Sequence, residues 1–171
     1  MATTIARADA ASRRRPRREG LRAGAVGATA VWVWLVVSDM HARTPFSTPA
    51  FLGRGLLSVD ARGGHVSPLA GVVAFTIAHY ALWMAVGTLI IAAVRRAVRT
   101  PSILLGLILL LILMQFLFVG ITAILAQGQL GAAAWRDLMI GDVFGWGSVA
   151  WYVVRAHKEL RGELARAGEG G

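Results

Sequence analysis

The chain has no cysteine. Disulfides, thiolate metal sites and thiol nucleophiles are therefore excluded, and the redox compartment leaves no mark on the sequence. Acidic residues are scarce, with 9 Asp and Glu against 18 Lys and Arg and a formal net charge of +9. Charge of either sign is missing over long stretches: Val66 to Val94 carries no Asp, Glu, Lys or Arg in 29 residues, and Ser102 to Ala126 none in 25. The sequence also lacks a phosphate-binding loop, a Gly-x-Ser-x-Gly elbow, a His-Glu-x-x-His helix and a dinucleotide fingerprint, so soluble-enzyme chemistry has no foothold in it.

What is present is apolar. Of 171 residues 56% are hydrophobic, and the mean hydropathy of +0.61 exceeds that of an ordinary soluble domain and fits a polytopic membrane protein. A basic balance often signals nucleic acid. Here the basic residues flank apolar stretches without interleaved aromatics, so membrane topology accounts for them and no nucleic-acid partner is expected.

The stretch from Val66 to Val94 exceeds the roughly 20 apolar residues that span a bilayer. Gly71, Ala74, Ala78, Ala81, Ala85, Thr88 and Ala92 are all small, and their spacing alternates between three and four. On a helix they form one seam. Lipid tails are as apolar as side chains, so helices associate there through close backbone approach, which small residues allow. The spacing predicts tight packing along this seam. His79 lies on the same helix off the seam, with Val72, Thr76, Trp83 and Val86, and a polar ring facing lipid is unfavourable, so that side needs cover too.

In chain order, residues 1–20 with Arg13, Arg14, Arg15, Arg17 and Arg18 read as a disordered basic cytoplasmic tail. Four spans follow within a transmembrane domain of residues 21–155, at about 22–39, 67–94, 102–126 and 134–154. The first has 16 uncharged residues, Ala23 to Ser38, so Arg22 must snorkel. In the loop after it, Thr48 as N-cap and Pro49 at the first helical position predict a short helix, Pro49 to Leu57, lying on the membrane surface. Phe51, Leu52, Leu56 and Leu57 would face inward and Arg54 outward. The fourth span carries a second small seam, Gly141, Gly145 and Ser148. Residues 156–171 form a charged tail.

Lys and Arg are dense in the N-terminal tail, at Arg95, Arg96 and Arg99, and in the C-terminal tail, whereas the loop of residues 39–65 has only Arg43, Arg54 and Arg62. Both termini are therefore expected in the cytoplasm. At ~1.5 Å per residue from the cytoplasmic ends, His79 lies about 24 Å up, Gln115 about 21 Å and Asp142 about 20 Å. An intramembrane His, a mid-span amide and the deepest carboxylate thus share one level. The hypothesis is that His79 and Asp142 interact with Gln115 nearby, to relay protons, hold a small polar ligand or contact a quinone; the plainer alternative is polar glue between helices. A b-type haem needs two facing His ligands, and one chain offers only His79 within a span, so no haem or other cofactor is expected. His41, His65 and Asp60 on the outer side lack ligand spacing, so no metal site is expected.

The segment Thr44-Pro45-Phe46-Ser47-Thr48-Pro49-Ala50-Phe51-Leu52-Gly53, followed by the helix bearing Ala78-His79-Tyr80, resembles a group of small bacterial four-span membrane proteins of unknown function. That resemblance covers about residues 30–160 and implies a bacterial inner membrane, with no activity attached. The expected protein is thus all-α, a four-helix transmembrane bundle with a short interfacial helix in its first extracytoplasmic loop. Its expected partners are the lipid bilayer and a second copy or another membrane protein. A non-enzymatic accessory role is expected; the alternative is a small transporter, proton-relay or redox-cofactor protein using His79, Gln115 and Asp142.

Overall fold

The computed structural model describes residues 2–58, 66–97, 103–126 and 131–156. These residues are all-helical: α1 (Ala2–His41), α2 (Ser47–Ser58), α3 (Pro68–Ala97), α4 (Ile103–Ala126) and α5 (Ala132–Ala156). Each predicted span falls on a helix, and the predicted short helix is α2. Two helical stretches, Arg17–His41 and Pro68–Arg96, are long and apolar enough to cross a membrane.

The N-terminal segment corrects the sequence reading. Residues 2–20 continue α1 rather than forming a disordered tail. Ala and Arg, strong helix formers, dominate the segment, and extending a helix already nucleated by the apolar stretch adds a hydrogen bond for each residue fixed. Beyond Ala156, the charged tail lies outside the described residues, as does the turn of residues 127–130.

Helix α1 is the centre of the fold, with α3 on one side and α5 on the other. The α1–α3 pair is antiparallel: Glu19 bonds Arg95 at 3.0 Å, Thr29 Oγ1 lies 2.9 Å from Tyr80 Oη, and Trp32 Nε1 donates to Thr76 Oγ1 at 3.2 Å. The α1–α5 pair is antiparallel too, with Gly27 against Val149 and Gly141 against Trp34. At its far end Trp34 Nε1 donates to the Asp137 carbonyl at 2.8 Å, and Ser38 Oγ donates to Asp137 Oδ2 at 2.5 Å. Antiparallel pairing gathers Arg17, Arg18, Arg22, Arg95, Arg96 and Arg155 towards one end of the molecule and Asp39 and Asp137 towards the other.

Glycine decides how close these helices come. In α1 the run Gly20-Leu21-Arg22-Ala23-Gly24 presents two bare backbone patches to Gly87 of α3, and a Cβ on any of the three would strike the opposing main chain. The predicted seam on α3 is corrected accordingly. Gly71 is buried and Ala74, Ala78 and Thr88 are half-buried, but Ala81, Ala85 and Ala92 are exposed. Even a methyl holds two backbones apart, so glycine pairs set the crossing. The covered flank is instead the side of His79, Trp83, Gly87, Ile90 and Ile91. On α5, Gly141 and Gly145 are buried against Trp34, Val31 and Trp83, while Ser148 is half-buried.

Helix α2 sits in a corner after α1, where Arg43 and Phe46 have φ of 59° and 61°. These left-handed residues turn the chain back on itself. The helix starts at Ser47, and Asp39 caps it from α1, accepting from the Thr48 amide at 2.8 Å and the Thr48 hydroxyl at 2.6 Å. Thr48 is thus held by a cap rather than acting as one. Pro49, Ala50, Leu52 and Gly53 are buried and Arg54 is exposed, but Phe51 and Leu57 are half-buried and Leu56 is 38% exposed. The contact with α3 runs backbone to backbone between Gly53 and Gly71.

Helix α4 is different. Leu109, Leu113, Phe116 and Ile124 are 60–73% exposed, and a Cβ at Gly106 or Gly120 would meet nothing within 4 Å. It leans on α2 and α3 with open clefts beside it.

Candidate functional site

Of the polar residues predicted to share a level, Gln115 and Asp142 come together, while His79 bonds elsewhere. His79 is buried at 5% exposure, and its Nε2 lies 3.1 Å from the Ala28 carbonyl. A carbonyl can only accept, so Nε2–H donates. The ring stacks on Phe75 at 5.1 Å and 19°. It forms no hydrogen bond with Asp142, which corrects the predicted His79–Asp142 pair: α1 supplies a nearer acceptor, and Trp83 stands on the α5 side, 6.2 Å from the His79 ring by centroids.

Asp142 meets Gln115 instead. Asp142 and Trp146 are four residues apart on α5 and share a face. Trp146 Nε1 donates to Gln115 Oε1 at 2.9 Å, a hydrogen bond that ties α4 to α5. The Gln115 and Trp146 side chains both stand next to the Asp142 carboxyl. Asp142 is 3% exposed, yet its Oδ2 has no hydrogen-bond partner among the described residues. Neither of the salt bridges among the described residues involves it.

Trp83, which helical spacing places on the side of His79, links the two halves. At 5% exposure it touches Gly27 of α1 and Gly145 of α5, and its ring lies 5.3 Å from Trp146 at 53°. The signal was available in outline: a large aromatic ring fits where opposing helices both carry glycine.

Three apolar clefts follow the inner side of α4. One of about 40 Å³ is bounded by Asp142, Trp83, Trp146 and Met114. A second of about 120 Å³ is bounded by His79, Thr122, Phe75 and Leu52. These two share Leu82, Phe118 and Ile121 as walls. The third, about 460 Å³, opens below Gln115 and Trp146 among Ile90, Leu111, Val149 and Val153.

No group of three or more His, Cys, Asp or Glu side chains stands together among the described residues. His41 is exposed, and His65, His157 and Asp60 lie outside the described residues. No protein-family profile, curated protein or solved structure matches the chain.

Proposed function

We propose that the chain is a four-span integral protein of a bacterial cytoplasmic membrane, with both termini in the cytoplasm. Its role is that of a non-enzymatic accessory protein that assembles with another membrane protein or with a second copy. The observation that carries the membrane reading is the outer surface. Leu109, Leu113, Phe116 and Ile124 on α4, with Leu69, Val73 and Ile77 on α3, are exposed. Proteins in water rarely leave so much contiguous apolar surface bare, and lipid covers it without penalty. The gathering of arginines at one end supports the orientation. At that end the Arg155 guanidinium lies 5.1 Å above the Trp151 ring, a pairing suited to a membrane interface. Helix α2 then lies at the extracytoplasmic side. The accessory role is supported by the loose seat of α4 and by Ala81, Ala85 and Ala92, which stay uncovered on α3.

The absence of native cysteine makes the test direct. In spheroplasts, a membrane-impermeant maleimide should label Ala61→Cys and Gln129→Cys, and should label Thr100→Cys and Ala167→Cys only after permeabilisation. Equal labelling of positions 61 and 100 in sealed spheroplasts would rule out this topology. In mild detergent the native complex should exceed the mass of one chain; a strictly monomeric species would contradict the accessory role.

A second reading, in which the polar layer binds a ligand, is favoured by one observation: the buried Asp142 Oδ2 without a partner beside a cleft.

A further inference from the structure

We propose that the cleft between α3 and α4 binds a lipophilic monovalent amine, with its ammonium head at Asp142 and its apolar tail beneath His79 and Thr122. The proposal rests on the ligand-binding reading and names its ligand class.

A carboxylate out of water needs a charged or hydrogen-bonding partner. Asp142 is buried, its Oδ2 has none, and among the described residues no Lys or Arg is paired with it. The Gln115 and Trp146 side chains serve the rest of the carboxyl, which leaves Oδ2 open to a donor carried by a ligand. Its size is bounded: the space at Asp142 is about 40 Å³, room for a few water-sized groups at roughly 10–15 Å³ each, which admits an ammonium head. The walls set its character. Trp83 and Trp146 lie side by side there, and indole faces attract cations. Every other wall is apolar: Leu82, Val86, Met114, Leu117, Phe118 and Ile121.

The tail has a route. Leu82, Phe118 and Ile121 also wall the 120 Å³ cleft, so an alkyl chain leaving Asp142 runs along them towards Thr122. Such walls disfavour a chain of waters between Asp142 and His79, because a water needs two to four polar partners. They suit a hydrocarbon.

The test uses the full chain in phosphatidylcholine nanodiscs, titrated with n-octylammonium and, in parallel, with n-octanol. The readout is the thermal unfolding midpoint. Octylammonium should raise it saturably and octanol should not. Asp142→Asn keeps the shape and removes the charge, and should weaken the apparent affinity by about tenfold or more, as expected when a charge-assisted hydrogen bond is lost. Leu82→Trp, at a half-exposed position, keeps Asp142 and fills the shared wall; it should abolish the effect. If octanol matches octylammonium on the parent chain and both fail on Asp142→Asn, a ligand site stands but the amine assignment is wrong. If neither compound acts on the parent, or both act equally on Asp142→Asn, the site itself is refuted.

Discussion

Helices α1 and α4 are both apolar, and they are held in opposite ways. Helix α4 is the more hydrophobic, an almost unbroken run of Leu and Ile from Ile103 to Leu113. Yet Gly106 and Gly120 touch nothing, and Leu109, Leu113, Phe116 and Ile124 point outward. Helix α1 has fewer large side chains, but at Gly20, Gly24 and Gly27 an added Cβ would strike the neighbouring helix. It is also tied to α3 by Glu19, Thr29, Trp32 and the Ala28 carbonyl. Hydrophobicity brings a helix into an apolar medium; small residues and matched polar groups then seat it against another helix.

The largest effect should come from removing the ring that both glycine-bearing neighbours enclose. Trp83→Ala should cost about 3–5 kcal/mol, read as a shift in the denaturant midpoint of the reconstituted protein. Next is Gly87→Leu, which drives a side chain into the α1 backbone at Gly20 and Gly24 and should cost about 3 kcal/mol. The same change at Gly120 of α4 should stay within about 0.5 kcal/mol. Equal losses at positions 87 and 120 would erase the contrast between the two helices.

Smaller effects sharpen it. Asp39→Ala frees the first turn of α2 and should cost about 0.5–2 kcal/mol, with much of it restored in Asp39→Asn, which keeps an acceptor. Gln115→Leu removes the hydrogen bond from Trp146 and should cost about 0.5–1.5 kcal/mol. Trp146 emission should then respond to the loss of its acceptor while the α1–α3 pair stays intact. No change in either signal would mean that α4 is held by its apolar contacts alone.

Much of this was legible from residue order. The apolar runs gave the helices to within a few residues, except for the start of α1. The Pro49 signal found α2. What stayed hidden depended on three dimensions. The Gly20–Gly24 pair straddles the place where hydropathy begins the first span, so it reads as part of a basic tail. Seven small residues on α3 looked like one seam, but Ala81, Ala85 and Ala92 point away because glycine outcompetes alanine for the closest approach. Helix rise gives His79, Gln115 and Asp142 one expected level. It does not give their partners, because rise fixes height and not azimuth: His79 turns to the Ala28 carbonyl, while Gln115 meets Trp146. Asp39 capping a helix that starts eight residues later shows the same limit, since the corner at Arg43 and Phe46 brings them together.

The most direct test of the contrast is helix-resolved amide hydrogen exchange on the purified chain in detergent micelles. Exchange reports the free energy of local opening. The account predicts slow exchange across Gly24–Leu35 of α1 and Trp83–Ile91 of α3, with clearly faster exchange across Leu111–Ile124 of α4. Protection in α4 equal to that of α1 and α3 would contradict it, because apolar content alone would then be enough to lock a helix in place.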